Sequence, residues 1–446
     1  MNNNLSGFDI LLPPIYLLAA MAYGYFVTKK NIREKPEYDY FLKGLLVRIF
    51  GAIALGLVYF FYYGGGDTVN YFQTASASSN LIYVNTDDFW IGIFGEAKGY
   101  SFPFDETTGF PVYRPNDVHA FFVVRLLIPI VILGCHSYFA SAIVVACITY
   151  GGIWKLYQTF LMEFPSLKKE FAIAALFIPS CVFWGSGLMK DSFTLSAVGW
   201  FTYGFYHFFI KKERKIAFVI YLVIASFIIL AIKPYIYFAL LPGSILWLSN
   251  NMVKKINTGY MRVITAPIIL GLGGLAGYFV LSNMGSNLGD YKLDNVLDKA
   301  VVTQQDMKAD YYGGNTYDIG NFDASVTGIL LKAPVSIFAG IFRPGLWDVR
   351  NVVMLISSLE NTYLLFLTIF LLIKLKFFGF FILIRKNPIL LFCMLFSLFF
   401  AFSVGLTCAN FGSLVRLRIP ELPFFVAGIF MLRYIYEKKS GVKMKF

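Results

Sequence analysis

Residues 388–406 read Pro-Ile-Leu-Leu-Phe-Cys-Met-Leu-Phe-Ser-Leu-Phe-Phe-Ala-Phe-Ser-Val-Gly-Leu, without one Asp, Glu, Lys or Arg. A helix of that length reaches about 28 Å at ~1.5 Å per residue, close to the ~30 Å of a bilayer's hydrocarbon layer. Lipid offers the backbone no hydrogen-bond partner, so such a run has to be a helix. Working outward, apolar runs recur near 9–28, 43–63, 137–160, 170–188, 191–210, 215–232, 234–249, 262–282, 352–373 and 420–436. They predict an all-α polytopic membrane protein with about eleven transmembrane helices, forming a single integral membrane domain over 1–446. Composition agrees: 58% of the residues are hydrophobic, 19% aromatic and only 14% charged. Soluble domains carry about 25% charged residues. A disordered chain and a secreted disulfide scaffold are excluded on the same grounds.

The net charge of +12 is an orientation signal rather than the footprint of a nucleic-acid partner. Every second connection is basic: Lys29 to Arg48, Lys155 to Lys169, Lys211 to Lys215, Lys254 to Arg262, Lys374 to Lys386, and Arg433 onward. The positive-inside rule puts these connections in the cytoplasm. The N-terminus is then outside and the C-terminus inside, with two large outer loops at 64–136 and 283–351. Two further apolar segments, 119–134 with Arg125 and 325–342 with Lys332 and Pro334, are predicted as interfacial or re-entrant helices on the outer side. Counting 119–134 as a span would put the following basic clusters on the wrong sides.

The five cysteines lack C-x-x-C spacing, and His119, His136 and His207 lack metal-ligand spacing. There is no phosphate-cradling Gly-rich loop and no G-x-S-x-G element. The chemistry has to come from charges where a membrane protein disfavours them, since an Asp, Lys or Arg at membrane depth costs about 2.5–3.5 kcal/mol or more. The second run ends in Gly64-Gly65-Gly66-Asp67-Thr68-Val69-Asn70-Tyr71, where Asp67 either caps the following helix or serves as a functional carboxylate, two roles that are compatible. Trp184-Gly-Ser-Gly-Leu-Met-Lys190-Asp191 forms an outer hairpin tip, and Lys233 precedes Pro234 at another outer turn. Arg343 and Arg350 flank a re-entering segment, and Glu360 lies inside the next run. In Arg416-Leu-Arg418-Ile-Pro420-Glu421-Leu-Pro423 an extended segment would present both arginines on one side. Cations gathered on the outer face call for an anion, and Arg suits phosphate. Structural ion pairs between helices are the competing account. Aromatics among Asp and Asn in the outer loops suit sugars, although an interfacial aromatic belt explains some of them.

These features resemble the multispanning glycosyltransferases of the GT-C superfamily and the related Wzy- or EpsG-type polysaccharide polymerases. The resemblance is carried by Gly66-Asp67-Thr-Val-Asn70-Tyr71, by the Pro179…Trp184…Lys190-Asp191 hairpin, and by Arg416-x-Arg418-x-Pro420-x-x-Pro423. It implies a lipid-linked sugar donor, on a polyprenyl phosphate or pyrophosphate, handled on the outer face of a bacterial inner membrane. The acceptor would be a saccharide, lipid or protein. Asp67 would be the catalytic base or would bind a divalent metal such as Mg or Mn. Arg416, Arg418, Arg343, Lys190 and Lys233 would bind the phosphate, supported by Asp191, Glu360, Tyr71 and Asn70. The sequence departs from the commonest GT-C pattern. A whole span precedes the one leading to Asp67, and no second acidic residue follows directly. Transfer and polymerisation therefore both stay open, and a lipid-linked oligosaccharide flippase is the alternative of a different class.

Overall fold

The computed structural model describes residues 7–96, 99–253, 296–308 and 315–441. The described chain is all-α; an isolated bridge between Thr316 and Asn410 is the one β feature among the described residues. Five of these helices are long and apolar enough to cross a membrane, not eleven: α1 (Phe8–Asn31), α2 (Pro36–Tyr62), and four elements on, the helix Tyr138–Glu163, then Val352–Leu375 and Pro388–Thr407. The membrane character read from the sequence therefore holds, while the count of spans does not.

The reason is that an apolar run is not the same thing as one continuous helix. The run 170–188 breaks at Phe177 and Ile178 into helices of nine and six residues, Lys168–Leu176 and Pro179–Trp184. Proline disfavours helical dihedrals in its predecessor, which favours a break there. The run 191–210 becomes a 16-residue helix, Lys190–Phe205, ending in a π-turn, and 215–232 a 17-residue helix, Ile216–Ile232. The helix Pro234–Val253 contains Pro242, and Leu422–Ser440 ends in charged residues. The predicted span 262–282 lies outside the described residues, as do Tyr311 and Tyr312 of the second outer loop.

In chain order the elements after α2 are α3 (Asp67–Asn80), α4 (Thr86–Phe94), α5 (Val118–Leu133), α6 (Tyr138–Glu163), α7 (Lys168–Leu176), α8 (Pro179–Trp184), α9 (Lys190–Phe205), α10 (Ile216–Ile232) and α11 (Pro234–Val253). There follow α12 (Val296–Asp306), α13 (Val326–Leu331), α14 (Ala333–Phe342), α15 (Val352–Leu375), α16 (Phe377–Lys386), α17 (Pro388–Thr407), α18 (Phe411–Leu417) and α19 (Leu422–Ser440). They fall into two compact units. The first comprises Met1–Leu156, Cys181–Phe201 and Val223–Lys233, and the second Tyr157–Ser180, Thr202–Leu222 and Pro234–Phe446.

In the first unit, α6 and α9 cross at glycines. A Cβ on Gly199 would collide with the Gly152 carbonyl, and one on Gly152 with the Ser196 carbonyl. Small residues at such a crossing let backbones touch, which is how helices gain packing energy where lipid removes the hydrophobic drive. Arg48 was expected in the cytoplasmic basic cluster, but α2 carries it inside the unit at 4% exposure. There its guanidinium donates to the Gly185 carbonyl and to Thr149 Oγ1 at 3.3 Å.

The 119–134 segment is α5, a single helix of 16 residues, about 24 Å long. Its C-terminal end is tied to α1 by Tyr16, whose hydroxyl donates to the Leu133 carbonyl. A tight turn then leads into α6, whose start is met by Asp9 of α1: Oδ1 accepts from the Tyr138 amide at 2.7 Å and from the Ser137 hydroxyl at 2.8 Å. The other end of α5 is tied to the end of α10, since His119 Nδ1 donates to the Ala231 carbonyl at 2.8 Å and Phe122 meets Phe227 edge-on. Midway, Arg125 caps α4, donating from Nε to Gly92 O at 3.1 Å and from Nη2 to Gly95 O at 2.5 Å. The charge that looked misplaced thus satisfies the orphan carbonyls at a helix C-terminus. Arg125→Ala should loosen α4 by about 1.5–3 kcal/mol, read as faster amide exchange over 86–95; unchanged exchange would show that the cap contributes nothing.

In the second unit, aromatic rings interlock between α6, α7, α11, α17 and α19. Trp247 stacks on Phe392 at 4.9 Å, and Phe424 meets Phe396 and Phe160 edge-on at 4.8 and 5.6 Å. The 325–342 segment forms two helices, α13 capped by Ser325 and α14. α14 packs backbone to backbone on α17, because a Cβ on Gly340 or Gly405 would strike the Ala401 or Ser336 carbonyl.

Candidate functional site

The residues singled out from the sequence divide between the two units. Asp67, Asn70, Tyr71, Lys190, Asp191 and Lys233 belong to the first, and Arg343, Glu360, Arg416 and Arg418 to the second.

In the first unit Gly64, Gly65 and Gly66 have φ of 69°, 139° and 124°, a run of left-handed backbone that residues with a Cβ rarely adopt. This turn ends α2 and starts α3 at Asp67 itself. No side chain caps this end of the helix, so Asp67 is its first residue rather than its cap. A carboxylate there is favoured by the helix dipole. Its Oδ1 accepts a 2.9 Å hydrogen bond from Tyr113 OH. Tyr113 is held in place by stacking on Tyr71 at 4.4 Å and by Thr74 Oγ1, which accepts from the amides of Val112 and Tyr113 at 3.1 Å each. Thr68 Oγ1 and Tyr138 OH, 2.7 Å apart, link the same turn of α3 to α6. Asp67 remains half-buried, whereas Tyr71 is 2% exposed and acts through Tyr113. Asn70 contributes its backbone: its amide donates to Gly66 O and its carbonyl accepts from Thr74 Oγ1.

Asp191 and Lys233 form a buried ion pair, at 0% and 5% exposure. Lys233 is thereby committed to a carboxylate of its own chain, the structural account of this charge. A buried pair of this kind often gains nothing over apolar packing, while breaking it strands a charge. Lys233→Met alone should therefore lower the melting temperature, and Asp191→Leu with Lys233→Met should recover most of the loss. A double variant as unstable as the single would show that the pair does more than neutralise itself. Lys190 opens α9 beside Asp191 and is partly exposed.

In the second unit Arg418 is fully buried. It donates from Nη1 to Ile341 O at 3.0 Å and Arg343 O at 2.9 Å, and from Nη2 to Asn361 Oδ1. Asn361 in turn donates to Pro344 O at 2.7 Å. Arg343 forms a fork on Asp348, Nε to Oδ2 at 3.1 Å and Nη2 to Oδ1 at 2.7 Å, over the rings of Tyr317 and Phe411. Burial works to raise the Asp348 carboxyl, but this fork and the Gly345 amide outweigh it and hold the group below the usual range. Burial likewise pushes the Tyr317 hydroxyl well above its ordinary value. Arg416 is half-buried on the last turn of α18. The two arginines do not share a side as an extended segment would have arranged. Positions two apart at a helix end point in nearly opposite directions, so Arg418 is buried and Arg416 only half-buried.

Glu360 lies eight residues into α15, about 12 Å from its start. Its Oε2 accepts from Ser180 N at 2.9 Å, at the beginning of α8, directly after the break in the 170–188 run. No donor among the described residues reaches its Oε1, nor either oxygen of the fully buried Glu421. Both carboxylates feel the charge of Arg418.

Asn361 and Glu421 escaped the sequence reading, and Tyr113 entered it only as one of the outer-loop aromatics suited to sugars, not as a partner of Asp67. Tyr113 stands in a polar loop with no motif around it, and Asn361 is masked by the apolar run it interrupts. Glu421 carried a signal, a carboxylate between Pro420 and Pro423 at the start of an apolar helix. Among the described residues no three His, Cys, Asp or Glu side chains are grouped closely enough to share a metal ion. The chain matches no protein family, no curated protein and no solved structure.

Proposed function

We propose that the protein is a membrane glycosyltransferase taking its sugar from a polyprenyl-phosphate or pyrophosphate carrier on the outer face of a bacterial inner membrane, with Asp67 as the group that orients or deprotonates the acceptor hydroxyl. The observation that carries this is the setting of Asp67. A half-buried carboxylate opens a helix after a three-glycine turn and is aimed by a tyrosine that has its own two supports. A structural Asp needs no such aiming, whereas a general base has to be held within hydrogen-bond reach of its substrate. Lys190, which opens α9 in the same unit as Asp67, is the cation proposed to meet the carrier phosphate. Polymerisation of the Wzy or EpsG type uses the same chemistry with a growing saccharide as acceptor.

The test is to add the purified protein, reconstituted in liposomes, to a labelled polyprenyl-linked sugar and look for label leaving the carrier. Lys190→Gln removes the charge while keeping a polar donor. A rise in KM of about tenfold, the scale of one charge-assisted hydrogen bond, is the expected result; an unchanged KM would remove Lys190 from the phosphate site.

A second reading has one observation in its favour. Glu360, well inside α15 and seated on the start of a helix that follows a break, is the kind of arrangement transporters use near the midplane. A flippase would move the labelled carrier across the bilayer without releasing the sugar, so the same liposomes separate the two readings.

A further inference from the structure

The first unit carries a row of exposed rings that the chemistry above does not use. Tyr83 is 82% exposed, Trp90 51% and Phe94 78%, with the rings of Trp90 and Phe94 parallel and 5.8 Å apart. The opposite face of α4, with Phe89 and Gly92, is buried, and its first turn is polar: Asn85 caps it, and Tyr100 donates to Asp88. The short helix thus has a wet beginning and an apolar, outward-facing end.

What covers that end follows from α5. One end of α5 is bonded to α1, whose long apolar face (Ile10, Leu11, Ile15 and Leu18, each at least 60% exposed) has to meet lipid. Its other end is bonded to α10 at Phe227, itself 60% exposed. The turn after α5 is bonded to Asp9 in the first turn of α1 and the start of α5 to Ala231 in the last turn of α10, so α5 runs from the beginning of a membrane-length helix, where the bilayer stops, to the end of α10. The lipid-facing surface of α1 continues onto α5 through the exposed Ile132 and Leu133. α4 is fixed on α5 by Arg125 and so sits at the same level.

We propose that α4 is a membrane-interface anchor, with the Trp90 and Phe94 edge inserted among the headgroups and upper acyl chains of the adjoining phospholipid leaflet. Amphipathic rings favour that zone, and a short helix with one apolar edge lies in it rather than crossing. The anchor holds α3, and with it Asp67, at the depth of a lipid headgroup, whichever reaction Asp67 performs.

The test compares full-length wild-type and Trp90→Phe protein in phosphatidylcholine liposomes. Their fluorescence difference isolates Trp90. The expected result is a component quenched by phosphatidylcholine brominated near the ester end of its acyl chains and shielded from aqueous iodide. Phe94→Trp should add a second component of the same kind, which guards against a local rearrangement in the first variant. Quenching of both components by iodide, with none from brominated lipid, overturns the proposal.

Discussion

Arg418→Ala should destabilise the second unit by about 3–5 kcal/mol, the cost of stranding the partners of a buried charge. Three acceptors lose their donor at once: the carbonyls of Ile341 and Arg343 at the end of α14, and Asn361 Oδ1 on α15. Glu360 and Glu421 also lose the cation that offsets them. Arg418→Lys retains the charge, but a single ammonium cannot span acceptors on two elements, so an intermediate loss is expected. Thermal unfolding in detergent reads the effect. An alanine variant that melts with wild type would mean that Arg418 is not the strut tying α14, α15 and α18 together. Until that is measured, lost activity in an Arg418 variant says nothing about substrate, because the fold goes first.

Asp67→Asn should reduce transfer by about 10²–10⁴-fold, the range for removing a positioned acid or base, while leaving expression and melting temperature unchanged. Asn can still accept from Tyr113 through its side-chain oxygen, so the turn, the helix start and the stacked tyrosines persist. What is lost is the ability to take a proton. Near-normal transfer by this variant would sink the assignment. Tyr113→Phe isolates the aiming and should give a smaller decrease, about tenfold for one hydrogen bond.

Several parts of this protein were readable from the chain alone, and for identifiable reasons. Residues 388–406 hold no charge and match the bilayer in length, so α17 could be nothing other than an apolar helix. The three glycines before Asp67 punctuate the chain so sharply that a turn and a helix start followed. The role of Arg125 was not readable, because it depends on the carbonyls of Gly92 and Gly95, some thirty residues away. Arg416 and Arg418 misled for a local reason. Their spacing pairs them on a strand, but the chain there is the end of a helix, which separates them.

Hydrophobicity and turn chemistry are local, and they determined what could be determined without the fold: helices of membrane character, a basic set of alternate connections, and a carboxylate set at a turn. The tertiary structure alone decided which apolar runs stay continuous, and only five do so at membrane length among the described residues. It also decided which charges are consumed by one another. Lys233, Arg343 and Arg418 look like ligand-binding cations in the sequence, and each is held by partners from its own unit. The free energy of a charge is set by what surrounds it within a few ångströms, and in this chain those neighbours are often tens of residues distant.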